Sequence, residues 1–176
     1  MTKRLLTLTA VALLLALCAS ASAARQDGKP STPEQRRQAV EIATLLENDP
    51  LHKDAKKLSG ALLHFLIEAP DIHVHICTDV LGDYSKIKGD YAPTITAQLT
   101  FSSAKFVIEH PEEAGDVNKE YLAGVEGVLR AYQNIKKAKP KVEMKPLEEL
   151  LARQQAGTLA DFVKEAAATG CSKRVN

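Results

Sequence analysis

Two cysteines, Cys77 and Cys171, are all that remain in this chain once Met1–Ala23 is set aside, and a bond between them would close most of what is left. An even pair in an oxidising compartment is normally bonded. On the chain-entropy model, closing a loop of that size contributes roughly 4–5 kcal/mol, less any strain in the folded state. The fold is therefore expected to bring the end of the chain back onto Cys77. Neither cysteine stands in a Cys-x-x-Cys pair, which weighs against free thiols acting as ligands or nucleophiles.

The oxidising compartment is read from the first residues. Lys3 and Arg4, the apolar run Leu5–Leu17 and the small residues Ala19–Ala23 have the three parts of a secretory signal, with cleavage expected after Ala23. The run is shorter than the roughly 20 residues of a bilayer span, and Arg25-Gln26-Asp27 follows it, so no transmembrane anchor is expected after cleavage. Leu17 before Cys18 makes a poor lipidation site. The expected location is outside the cytoplasm, periplasmic or extracellular. The chain divides into a leader at 1–23, a flexible tether at 24–31, one helical domain at 32–171 and a frayed tail at 172–176.

Cleavage removes Lys3 and Arg4 and leaves 21 basic residues against 22 acidic ones, which is not the balance of a nucleic-acid binder. With four Phe, four Tyr and no Trp, the core must be built of Leu, Ile, Val and Ala.

Punctuation predicts an all-α fold of about seven short helices, packed as antiparallel hairpins and fastened by one disulfide. Thr32-Pro33-Glu34-Gln35 forms a capping box at the first helix. Asp49-Pro50 is expected to start a second that runs to Ala69, with Leu58, Ala61, Leu62, Phe65, Leu66 and Ala69 on one face and Lys53, Lys57, His64 and Glu68 opposite. Asp71 is expected to cap a third helix ending at Gly82. From Thr94 to Phe101 polar and apolar residues alternate, a strand pattern. The full stretch Tyr91–Glu109 is too long for an ordinary strand, however, and Thr94, Gln98, Ser102, Lys105 and Glu109 share one arc at helical spacing. A helix is expected there, the most buried of the fold, with Ser102, Ser103 and Ala104 letting neighbours approach closely.

Asp116 caps the clearest helix, in which Tyr121, Leu122, Val125, Val128, Leu129, Tyr132 and Ile135 recur at three- and four-residue steps. Gly124 and Gly127 lower its propensity, so close helix packing is the expected reason for them. Pro146 opens a sixth helix, and Thr158 starts a seventh that ends at Gly170. Val128, Tyr132, Ile135 and Pro140 stand at intervals that resemble the second helix of a tetratricopeptide repeat. The resemblance does not recur at the 34-residue period of that family, so it implies only stacked helix hairpins.

The chemistry-bearing stretch is His73-x-His75-x-Cys77. On a strand these residues would converge on one face as a metal pair with a third ligand. On the expected helix His73 and His75 stand about 200° apart and cannot share an ion. His73 then becomes a core histidine, and Cys77 points inward toward Cys171. Lys136, Lys137, Lys139, Lys141 and Lys145 form a basic segment that could meet anionic lipid, a cell-wall polymer or an acidic partner, although such segments are usually solvated helix ends. No metalloprotease His-Glu-x-x-His, nucleophile elbow, phosphate loop, dinucleotide fingerprint or haem-attachment motif is present, and no cofactor is expected. Two functions stay open. The first is an exported helical module that binds a protein or peptide in a groove between helix hairpins. The second is a small metal-binding protein or metal-assisted hydrolase that uses His73 and His75 with His52, His64 or His110.

Overall fold

The structure is a computed structural model that describes residues 29–171; the leader expected at 1–23 and the tail expected at 172–176 lie outside the described residues. Six α-helices are present among them, and no strand: α1 (Pro33–Asn48), α2 (Ala55–Glu68), α3 (Ala92–Glu109), α4 (Val117–Ala138), α5 (Lys145–Gln155) and α6 (Leu159–Ala166). Short 3-10 turns occupy Thr78–Leu81, Tyr84–Lys86 and Pro111–Glu113, and α6 loosens into a wider π-type turn over Ala167–Cys171.

The expected caps form where a side chain can reach the first turn. Thr32 Oγ1 accepts from the Gln35 amide at 3.2 Å while Gln35 Oε1 accepts from the Thr32 amide at 2.8 Å. Asp116 accepts from the Lys119 amide at 3.2 Å and starts α4. Two starts differ from expectation. Asp49-Pro50 opens a turn instead of a helix, because Leu51 packs on the main core and the His52 ring accepts the Asp54 amide at 3.1 Å; α2 begins only at Ala55. Thr158 makes no side-chain cap, its hydroxyl turning back to the Arg153 carbonyl instead.

The larger correction falls on the third helix. Residues 72–77 are not helical, and only Thr78–Leu81 coil, as a single 3-10 turn. Asp71 cannot cap because its carboxylate is taken: it accepts from the Ser31 amide and hydroxyl, both at 2.8 Å, and from Arg36 Nη2 at 2.5 Å. Burial pushes this carboxyl up, but the bonds from Ser31 and Arg36 outweigh it and hold the pKa at about 2. Alternating β-branched Ile72, Val74 and Ile76 then favour an extended chain, which reaches Cys77 at φ −144° and ψ 117°.

Packing is in two clusters. The main core joins α3, α4, α5 and α6 to the 77–87 segment through residues such as Leu81, Ile95, Leu99, Leu129, Leu147 and Val163. A smaller cluster holds Ala39, Ala43 and Leu46 of α1 and Leu62 of α2 against Phe101 of α3. The α3–α4 pair is the most extensive; α1 packs on α3 and α4 as well as on α2, and α6 packs on α4 as well as on α5, so the hairpins are interleaved around α3 and α4.

Helix α3 is extensively buried but is not the most buried helix as expected, because α4 lies at the centre of the main core and buries more of its residues; the middle of the α3 polar arc faces protein, while Glu109 at its end is exposed. Gln98 Nε2 donates to Ser102 Oγ at 2.9 Å, and Ser102 Oγ donates to Glu47 Oε1 at 2.8 Å, all three residues being buried. Arg130 Nε completes the site at 3.0 Å from Glu47 Oε2. The glycines of α4 make this contact possible. A Cβ at Gly124 would lie 2.4 Å from Ser103 Oγ, and one at Gly127 would lie 1.9 Å from Ser102 Oγ.

Candidate functional site

Cys77 and Cys171 are bonded, with their Cα atoms 5.7 Å apart and 94 residues between them in sequence. The end of the chain lies so close to the Thr78–Leu81 turn that a Cβ at Gly170 would stand 2.3 Å from Asp79 Oδ2. Cys77 is thereby unavailable as a ligand.

The histidines do not converge. Extended geometry would set His73, His75 and Cys77 on one face if the alternation held, but it breaks after His75: Cys77 turns inward and Ile76 turns out, 46% exposed. His73 is exposed, not a core residue, and makes no hydrogen bond among the described residues. The His75 Nδ1 lies 2.9 Å from Glu120 Oε2, and the His75 amide donates to Glu120 Oε1 at 2.5 Å. Burial raises the pKa of Glu120, which is 2% exposed, while its bonds to His75 oppose the rise. The pair latches the 72–77 segment onto the first turn of α4. Sequence gave no local sign of it, since the partners are 45 residues apart.

The other histidines are dispersed. His52 is spent on the Asp54 amide, and His64 is solvent-exposed 3.1 Å from Glu68, as its helical face implied. His110 stands 3.6 Å from Glu112 with its ring against Phe106. With Glu113 these two form the one group among the described residues close enough to surround an ion, and it does not include His73 or His75. It is a surface group in which Glu113 already holds Lys119 at 2.6 Å.

One recess that the fold leaves open is largely apolar. Leu63 and Ile67, four residues apart on α2, are 47% and 75% exposed, and they lie off the face that packs on α1. Leu63 forms one wall of a groove of about 500 Å³ whose other walls are Tyr84 and the α3 residues Ala92, Pro93, Thr96, Ala97, Thr100 and Phe101. Tyr84 is fixed there by a 2.8 Å hydrogen bond to Thr96 Oγ1. A second groove of about 370 Å³ continues it, sharing Pro93, Ala97 and Phe101 and adding Ala55, Lys56 and Ser59. Residues 56, 59, 63 and 67 fall on one side of a helix at 100° per residue; Lys56, Ser59 and Leu63 line these grooves, and Ile67 continues the same stripe one turn beyond Leu63.

The cleft exists because α2 and α3 touch little: α2 packs chiefly on α1, whereas α3 packs most extensively on α4. Its sequence signal was the apolar character of Leu63 and Ile67 on the polar side of α2, but only the fold shows that this side faces a recess. Among the described residues no helix is long and apolar enough to cross a membrane.

Comparison with protein-family models, with curated proteins and with solved structures gives no match. The function must therefore be argued from the cleft itself.

Proposed function

We propose that this chain is an exported helical module that binds a protein or peptide partner in the cleft between α2 and α3. The observation that carries the reading is the exposed Leu63 and Ile67 beside a groove walled by Ala92, Pro93, Ala97 and Phe101. A helix that packs one apolar face inside and keeps a second one beside a preformed recess matches the groove mode of peptide recognition. Export is supported by the composition of Met1–Ala23 and by the Cys77–Cys171 bond, which favours a periplasmic or extracellular setting.

Metal binding or metal-assisted hydrolysis at His73 and His75 finds less support. Glu120 would orient His75 as such sites require, but Cys77 is bonded and His73 belongs to no ligand group.

The test is selection of a random peptide library on the purified, oxidised protein and on its Leu63→Glu variant. Peptides enriched on the first and lost on the second support the cleft. Peptides that bind both equally place recognition elsewhere.

A further inference from the structure

We infer that the partner is an acidic peptide, laid along the α2–α3 cleft with apolar side chains at Leu63 and carboxylates at its lysine-bearing mouth. This rests on the cleft being the binding site and adds the chemistry of its occupant.

The four central helices bring their charges to opposite ends. Asn134 Nδ2 near the end of α4 donates to the Glu47 carbonyl at the end of α1 at 3.0 Å, and Ala55 and Lys56 face Pro93 and Thr94 across the cleft. The C-terminal ends of α1 and α4 thus meet the N-terminal ends of α2 and α3. Lys53, Lys56, Lys57, Lys137, Lys139 and Lys141 are gathered here, all exposed, and none of them forms an ion pair among the described residues. Asp49, Asp54, Asp90 and Glu143 are the exposed or partly exposed carboxylates near these helix ends, and Glu47, buried at the end of α1, is held by Ser102 and Arg130. Glu109, Glu112, Glu113 and Asp116 lie at the other end, where α3 turns into α4.

A second observation is independent of the lysine count. Helices α1, α4, α5 and α6 each carry an acidic residue in the first turn, namely Glu34, Glu120, Glu148 and Asp161. The two that wall the cleft, α2 and α3, carry none, and neither has a side-chain cap. Both starts lie at the mouth, and although Asp54 stands at the N-cap of α2, Lys56 and Lys57 follow it in the first turn, where a cation opposes helix stability. A first turn organised for stability alone would carry acidic residues where these lysines stand.

The shape narrows the partner further. From Lys56 to Ile67 the stripe spans about 16 Å at 1.5 Å per residue, the length of some three helical turns of ligand. Leu63 lines a recess with the lysines at one end of it, not around it, which suits a narrow segment with an acidic end better than a flat lipid surface.

The experiment uses fluorescence anisotropy of three labelled twelve-residue peptides against the disulfide-intact protein: leucines at helical spacing with a glutamate-rich end, the same with lysines for glutamates, and the glutamate peptide with serines for leucines. The glutamate–leucine peptide should bind about tenfold tighter than either other, and weaken as salt rises. Lys53→Glu with Lys56→Glu should cost about tenfold and give the lysine peptide the advantage, while leaving thermal stability equal or higher because the α2 start becomes acidic.

If the lysine peptide binds unaltered protein equally well, and Leu63→Ser weakens both, the cleft stands and the acidic partner is refuted. If no peptide responds to Leu63→Ser, the cleft falls with it. Binding to phosphatidylglycerol vesicles that ignores Leu63→Ser would make a lipid surface the occupant and also overturn the inference.

Discussion

Gly127→Ala sets two rules against each other. In an exposed helix the change gains up to about 1 kcal/mol through helix propensity. At Gly127 the new Cβ would lie 1.9 Å from Ser102 Oγ, 2.4 Å from Ser102 Cβ and 2.9 Å from Glu47 Oε1. Rotating the Ser102 hydroxyl removes the first contact but not the second, because Ser102 Cβ is fixed by the α3 backbone. Relief to an ordinary carbon–carbon distance of roughly 3.5–4 Å requires α3 and α4 to separate by more than about 1 Å. Overpacking of this kind costs typically 1–3 kcal/mol, and disturbing the Ser102–Glu47 bond inside the interface adds about 1–3 kcal/mol. After the propensity gain, a net loss of about 1–5 kcal/mol remains. Urea unfolding followed by circular dichroism measures it, with Gly60→Ala as control. Gly60 is exposed on α2, and its added Cβ would meet nothing within 4 Å, so that variant should gain stability. Gly127→Ala at or above the original stability would refute the close α3–α4 approach, and so would failure of Ser102→Gly to restore part of the loss.

Replacing Cys77 and Cys171 by Ser should lower stability by about 4 kcal/mol, read as a fall in the urea midpoint, and thiol titration of the unfolded, unreduced protein should find neither cysteine reactive. Asp71, held at about 2 against an ordinary value of 3.8, contributes stability above pH 4 that is lost as pH falls through 2. Because Arg36 is partly exposed, that contribution is on the order of 1 kcal/mol, and Asp71→Asn should remove it and flatten the acid limb of the stability profile. His75→Ala leaves the buried Glu120 carboxylate without its ring partner and should cost about 1–3 kcal/mol in the same unfolding assay.

Local signals in the sequence carried most of the fold. Thr32 with Gln35, Asp116 and Pro146 mark their helix starts because capping and proline geometry act within one turn. The α3 helix was legible against its strand-like alternation because its length and polar arc exceeded what a strand accommodates. The bond between Cys77 and Cys171 followed from setting Cys18 aside with the expected leader, which leaves each of the two only the other as partner.

Long-range polar partners were not legible. Asp71 has the chemistry of a cap, yet Ser31 and Arg36, some 35–40 residues away, take its carboxylate and leave 72–77 extended. Glu120 reads as a first-turn acid and also serves as the anchor of His75. The cleft was not legible. Leu63 and Ile67 are apolar residues beside His64 and Glu68, but whether that face meets solvent, a helix or a recess depends on how α2 sits against α3.

Methyl and amide NMR titration of the oxidised protein with a peptide selected through the Leu63-dependent screen tests the central claim most directly. Saturable shifts should concentrate on Leu63, Ile67, Thr96, Ala97 and Phe101, leaving His73, His75 and the His110–Glu113 turn unmoved. Shifts centred on those histidines instead, with Leu63 and Ala97 silent, would contradict the assignment of the α2–α3 cleft as the binding site.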